Sequence, residues 1–315
     1  MDQVPTTERY QIIYDTISND NNELNIITLC EIAQVSRSGY YAWTKRKNDI
    51  NNQREIQDKK DFELILEAYK YRGYKKGSRS IHMRLLHQGT VMNRKKIRRL
   101  MKKFNLICPI RKPNPYKQMA KAIEVSTVAD NLVNREFRNH GPRKILLTDI
   151  TYLFYGKCNK AYLSVIKDAY TKEVLSYVLS DNLKEDFVLL TINTLINNHK
   201  NELGTDTLLH SDQGIHYKSY TFQQLLKDEG LRQSMSRKAN CWDNAPQESF
   251  FGHMKDELNL TDCTIFEDVK NKVDDYMDYY NNDRYQWDLA KLSPKEFYQY
   301  TLTGNYPINK KEKDD

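Results

Sequence analysis

The chain has 315 residues, 39% of them hydrophobic and 29% charged, enough for one large domain or, by preference, two or three smaller ones, and its 22 Tyr, 10 Phe and 3 Trp exclude a disordered chain. No apolar run approaches the roughly 18 residues of a membrane span, MDQVPTTERYQ has no signal-peptide pattern, and five scattered cysteines (Cys30, Cys108, Cys158, Cys241, Cys263) without a C-x-x-C pair argue for free thiols rather than a disulfide framework or zinc finger. The net charge of +7 is unevenly spread: residues 1–143 hold 28 Lys/Arg against 15 Asp/Glu, and residues 144–315 hold 21 against 27.

Between Ala68 and Ile123 stand 17 basic residues and no acidic one. A solvated surface mixes signs, so a block of one sign predicts a polyanionic partner, and nucleic acid is the default.

In chain order, LNIITLCEIAQVSRSGYYAWTKRK (24–47) reads as two short helices around a tight turn. Ile27, Ile32 and Ala33 mark the first, and Ser36 caps a second that presents Tyr40, Tyr41 and Trp43. The pattern is helix-turn-helix-like, weakened by Gly39, with a plain helical hairpin as the alternative. Residues 49–68 read as a further helix. Ser78 then caps a helix with Ile81, Leu85 and Leu86 on one face, and Asn93 caps another with Ile97, Leu100, Met101 and Phe104. The other face of that last helix holds Arg94, Lys95, Lys96, Arg98, Arg99, Lys102 and Lys103 with no interleaved Glu, which favours phosphate contact. CPIRKPNPYK (108–117) reads as an extended linker.

From about residue 144 the period changes. KILLTDITYLFY, AYLSVIKDA and KEVLSYVLS are strands close enough in sequence for an antiparallel meander. EDFVLLTINTLINNHK is a helix with Phe187, Leu190, Ile192, Leu195 and Ile196 inside, DTLLHSD a buried strand, SYTFQQLLKDEG a helix ended by Gly230, and LRQSMS a fifth strand. A final helix begins near Ala245, after a polar segment containing Arg237 and Lys238. The order is βββαβαβα, a mixed sheet with helices against it.

Position selects among the many acids. Asp149 interrupts an apolar strand, where a lone carboxylate is costly unless it meets a cation. Asp212 ends a buried strand, and Glu248 opens the helix after it. Three carboxylates without Cys or His suit hard cations, Mg²⁺ or Mn²⁺, and two such ions can clamp a phosphoryl centre. Asp168, Asp181, Asp186 and Asp206 read instead as turn or loop acids. Pro246 is tolerated in the first turn of the last helix, Asn244 and Gln247 have capping-box spacing, and Phe250, Phe251 and Met254 tie the helix to the sheet while Ser236–Trp242 stay loose.

Thirty-five residues separate Asp212 from Glu248, as in DDE transposases and retroviral integrases. TDITY (148–152), HSDQG (210–214), SMSRKANCWDNAPQESFFGHMKDE (234–257), YNNDRYQWDLAKLSPKEF (280–297), VSRSGYYAW and VADNLVNREF resemble the second-frame (OrfB) transposase of a large bacterial insertion-sequence family, over nearly the whole chain. The resemblance implies an RNase H-like core with Asp149, Asp212 and Glu248 holding two Mg²⁺ or Mn²⁺ ions, and cutting and joining of double-stranded DNA at the element's ends. Water first frees a 3′-hydroxyl, which then attacks a second phosphodiester, so no Ser or Tyr nucleophile is assigned. Lys255, two helical turns beyond Glu248, contacts the element end by the same resemblance, and Arg237 and Lys238 are further DNA candidates.

The implied organisation is a helix-turn-helix-like module (1–50), a basic helical DNA-binding module (51–118), a linker (119–143), the catalytic core (144–262) and a helical extension with a tail (263–315). A homo-oligomer on DNA, a nucleoid-associated place in the cytoplasm and an upstream-frame partner or frameshift fusion are expected. Leu147 stands where family members often have Trp, the retroviral His/His/Cys/Cys zinc set is absent, and no sustained heptad pattern is present. The other readings are an RNase H-like nuclease without joining and a non-catalytic DNA-binding regulator.

Overall fold

A computed structural model describes residues 4–19, 21–109, 140–236 and 245–308. The chain forms two compact units, residues 1–66 and 67–315.

In the first unit α1 (Thr6–Ile17), α2 (Ile26–Ile32) and the start of α3 (Arg37–Lys70) enclose Ile13, Leu29, Cys30 and Tyr40. Residues 49–68 are no separate helix: α3 runs unbroken from Arg37 to Lys70. Ser36 caps it as expected, its hydroxyl accepting from the Gly39 amide at 3.1 Å. Ile27 and Ile32 face solvent, 48% and 67% exposed, because Leu29 and Cys30 supply the buried face of α2. Gly39, read as a weakness, is a packing requirement: a Cβ there would stand 2.2 Å from Tyr10 Oη and 2.8 Å from Ser36 Oγ. Gly39→Ala is therefore expected to destabilise this unit by about 1–2 kcal/mol, overpacking outweighing the gain in helix propensity. Urea melts of the variant with and without Tyr10→Phe check it: a stabilised Gly39→Ala would refute the argument.

The second unit begins with the end of α3, then α4 (Ser78–His87) and α5 (Arg94–Lys103). Asn93 caps α5, accepting from the Lys95 amide at 2.8 Å. Ser78 does not cap α4; Gly77 holds that position and Ser78 is the first helical residue. Ile97, Leu100 and Met101 are buried while Lys95, Arg98, Arg99, Lys102 and Lys103 are exposed, so the two faces of α5 separate as their periodicity requires.

Next come β1 (Ile145–Tyr155), β2 (Asn159–Asp168), β3 (Val174–Ser180), α6 (Glu185–His199), β4 (Leu208–Ser211), α7 (Tyr220–Asp228), β5 (Arg232–Met235) and α8 (Ala245–Glu257). This is the βββαβαβα order read from the sequence. The sheet order is β3-β2-β1-β4-β5. The short turns make β1–β2 and β2–β3 antiparallel, whereas the crossovers through α6 and α7 make β1–β4 and β4–β5 parallel. Two more helices follow, α9 (Phe266–Asn282) and α10 (Pro294–Thr303).

Both sheet faces are covered. Leu146, Ile166, Leu175 and Leu209 pack with α6 and α7, and Leu153, Leu163, Val165 and Val174 pack with α8 and α9. Phe250, Phe251 and Met254 hold α8 to the sheet as expected. Leu190 instead faces solvent at 52% exposure, Val188 and Thr191 filling the buried side of α6. Asp186 lies in the first turn of α6 rather than in a loop.

Around the start of β1 lies a network that the sequence did not show. Arg143 donates to Asp168 at 3.1 Å, Glu173 at 2.7 Å and Glu202 at 2.8 Å, with its guanidinium 3.8 Å from the Tyr298 ring centroid. Asp168 also accepts from the Tyr170 amide at 2.8 Å, so it is the turn acid expected and a buried ion-pair partner besides.

Candidate active site

Strand register brings the first two acids together. β1 and β4 pair in parallel with Leu147 opposite His210. Continued two residues further, that register sets Asp149 level with Asp212, at the C-terminal end of β4. Asp149 lies opposite Val165 of β2, and Val165 packs in the cluster that holds α8. Gln247, the residue before Glu248, donates to the Val165 carbonyl at 3.4 Å. The side chain of Gln247 thus reaches the sheet, and Asn244, its proposed capping partner, lies outside the described residues.

Electrostatics report the convergence. Asp149 is pushed up to about 7, first by burial and then by the charges of Asp212 and Glu248, with the Ile150 amide and Lys255 working in the other direction. All three acids and Lys255 therefore share one neighbourhood at the C-terminal end of β4, beside the central strand β1. The Lys255 ammonium is lowered by burial, and the charge of Asp149 opposes that shift. Glu248 and Lys255 are both exposed on α8, and a spacing of seven keeps them on one face.

Local hydrogen bonds fix the two aspartates. Asp149 Oδ1 accepts from the Ile150 amide at 2.8 Å. Asp212 Oδ1 accepts from the Gly214 amide at 2.8 Å, and a Cβ at Gly214 would lie 2.9 Å from that oxygen. The glycine of HSDQG is thus the residue that lets the chain fold back under the carboxylate. Tyr217, wholly inside the core, lies beneath both aspartates; burial and then the charge of Asp149 raise its ionisation well above the ordinary value.

α8 is anchored at both ends. Near its start, the buried Lys167 of β2 donates to the Pro246 carbonyl at 2.7 Å. At its end, Glu257 receives Arg284 at 2.7 Å and the Tyr276 hydroxyl at 3.2 Å. Sequence reasoning missed Lys167, Tyr217 and Arg284. The first sits in a segment read simply as a strand, and the other two became significant only through their neighbours.

The donor set of the acids is all oxygen. Its excess negative charge, which shows in the raised Asp149, is what a hard divalent cation relieves, so the chemistry fits Mg²⁺ or Mn²⁺. Among the described residues no three His, Cys, Asp or Glu side chains form a cluster tight enough to hold a metal ion.

The remaining DNA candidates separate. Lys95, Arg98, Arg99, Lys102 and Lys103 lie exposed on α5, while Arg94 and Lys96 are half-buried, Arg94 against the Trp287 ring at 5.8 Å. Arg237 and Lys238 lie outside the described residues. Of the segment expected to be loose, Ser236 is described: it is buried and its amide donates to the Ser211 carbonyl at 2.8 Å. Among the described residues no helix is long and apolar enough to cross a membrane.

The Integrase core domain family matches residues 139–241 and again 248–302, and the HTH-like domain family matches residues 55–114. The sequence is 32% identical over 278 residues to InsK of Escherichia coli K12, the transposase assigned to insertion sequence element IS150, covering 87% of this chain and 93% of that one. It is 28% identical over 288 residues to transposase InsF for insertion sequence IS3A of the same bacterium, covering 90% and 97%. The solved catalytic core domain of HTLV-2 integrase in complex with magnesium superposes with a TM-score of 0.39 at 19% identity, covering 51% of this chain and 99% of that one.

Proposed function

The chain belongs to the bacterial insertion-sequence transposases built on an integrase core domain, enzymes of the polynucleotidyl transferase class, and from that premise we propose that it cuts DNA at the ends of an insertion sequence and joins them to target DNA, with Asp149, Asp212 and Glu248 as its metal-holding acids. The observation that carries the reading is the parallel β1–β4 register, which sets Asp149 level with Asp212, next to the strand residue Val165 that Gln247 of α8 reaches; the raised ionisation of Asp149 agrees with it.

When bound, two Mg²⁺ or Mn²⁺ ions would supply Lewis-acid polarisation of the scissile phosphate and acidify the attacking water or 3′-hydroxyl. The chain's own residues do the rest. Asp149 and Asp212 are aimed by their backbone hydrogen bonds, and Glu248 is aimed by a helix fastened at both ends. Lys255 opposes the negative charge at the acids' edge and is placed to meet a DNA phosphate. The exposed cations of α5 bind backbone phosphates without reading sequence and set the duplex in position. On this reading the partners are double-stranded element ends and target DNA, met by an oligomer, with an upstream-frame protein as companion or fusion.

The test is incubation with a labelled element end, target DNA and Mg²⁺. Strand-transfer products are expected, and they vanish in Asp149→Ala, Asp212→Ala and Glu248→Gln. Cleavage without joining would instead identify a nuclease. Joining by the triple variant would remove all three residues from the chemistry.

A further inference from the structure

On the far side of α8 from the carboxylates lies a cleft of about 820 Å³. α4, the end of β2, α8 and the connection between α9 and α10 form its walls. α8 lends it Pro246, Ser249, Phe250 and His253, spaced as one helical face, while Glu248 and Lys255 lie on another. One helix therefore separates two sites.

Cations dominate the lining: Arg79, Lys167, Lys172 and Arg284 against Asp288. Asp288 is paired with Lys172 at 2.5 Å, and Arg284 with Glu257 at 2.7 Å. Lys167 is different. It is 2% exposed, it donates to a neutral carbonyl, that of Pro246, and its ammonium lies 5.0 Å from the Phe250 ring centroid. Burial, and then the charges of Lys172 and Arg284, push it down to about 7. An anion entering this cleft would relieve that crowding of positive charge.

The mouth is aromatic. Trp287 is 47% exposed, with Arg94 of α5 at 5.8 Å and Lys291 at 5.3 Å from its ring centroid. An exposed indole flanked by two cations beside a phosphate-binding helix is a platform on which a base stacks while its backbone stays neutralised. A duplex is too wide for a cleft of this size, whereas one or two unpaired nucleotides suit it.

We propose that this cleft receives an unpaired stretch of DNA strand next to the processed end, with a base stacked on Trp287 and a phosphate directed toward Lys167. The proposal rests on the transposase reading and adds a second nucleic-acid site to it. The strand frayed or left overhanging at the end would be drawn past α8, away from the acids that act on its complement.

The probe is a duplex carrying the element's end, prepared blunt and with a three-nucleotide overhang bearing 2-aminopurine. The wild-type chain is expected to bind the overhang form about tenfold more tightly, which is the stacking of one base, and to change the fluorescence of the 2-aminopurine. Trp287→Ala is expected to bring overhang affinity down to that of the blunt duplex and to abolish the fluorescence change, and Trp287→Phe to keep most of both. Circular dichroism shows that the variants fold. Equal wild-type affinity for the two duplexes, or a preference that survives in Trp287→Ala, overturns the cleft proposal and leaves the transposase reading standing. Failure to bind either duplex overturns both.

Discussion

Asp149→Asn is expected to stabilise the metal-free protein at pH 8 while abolishing its chemistry. The folded carboxyl ionises at about 7, against an ordinary value of 3.8, because it is buried beside Asp212 and Glu248. A carboxyl raised by folding binds its proton more tightly folded than unfolded. Its ionisation thus costs nothing below pH 3.8. The cost grows as pH rises from 3.8 to 7, and above 7 it is complete. Asparagine removes that cost, so the variant's advantage is largest at pH 8, on the order of 4 kcal/mol, and vanishes toward pH 4. Mg²⁺ reverses the ranking, since it raises the melting temperature of the wild type and leaves the variant nearly unmoved. Strand transfer falls by about a thousandfold or more, equivalent to roughly 4 kcal/mol of transition-state stabilisation. Thermal melts from pH 4 to 8 in EDTA and in Mg²⁺ measure the stability changes, and the labelled-end assay measures strand transfer. A variant less stable than wild type at pH 8, or a difference flat with pH, would show that Asp149 is not strained by its neighbours.

The largest loss of stability is expected from Arg143→Met. Arg143 is 4% exposed and holds Asp168, wholly buried, and Glu173, 7% exposed. Methionine keeps much of the volume and leaves two buried carboxylates without their cation, a change that costs about 3–5 kcal/mol. The exposed pair between Lys144 and Asp206, at 2.7 Å, offers the contrast: water screens it, so its removal should cost far less than the loss of Arg143. Urea denaturation separates the two. Adding Asp168→Asn and Glu173→Gln to Arg143→Met should restore a large part of the loss, since the stranded charges go with them. An Arg143→Met loss below about 1 kcal/mol would mean that the network adds nothing net.

The core was legible where periodicity carries the signal. β1 to β3 are long, rich in β-branched and aromatic residues and joined by short turns, so their meander could be read directly. The crossovers around β4 and β5 followed from the intervening helical spacing. The helices at the N-terminus were harder. α1 is largely polar with one fully buried residue, Ile13, and it passed unread. Ile27, Ile32 and Leu190 have the chemistry of core residues and still face water, because a helix needs only part of its apolar set to dock.

The acids show a similar division. Strand and helix position made Asp149, Asp212 and Glu248 candidates, and the family motifs pointed to the same three. Their mutual influence depends on register and on the seating of α8, which no local pattern encodes. Arg143 lies in a short polar stretch before β1, and its partners are 25, 30 and 59 residues away. Such a network has no sequence period to reveal it.

Spread along the chain, the acids also set an order in time. Asp149 and Asp212 belong to a sheet whose parallel pairing of β1 with β4 must wait for α6 to form. Glu248 follows later still, on a helix whose far-end clamp, Arg284, is made 36 residues after it. During synthesis from the N-terminus, the basic helices emerge first and the complete set of acids last. On the proposed reading, a nascent chain that stops before α8 already carries the basic helices but lacks Glu248, the third acid of the proposed set.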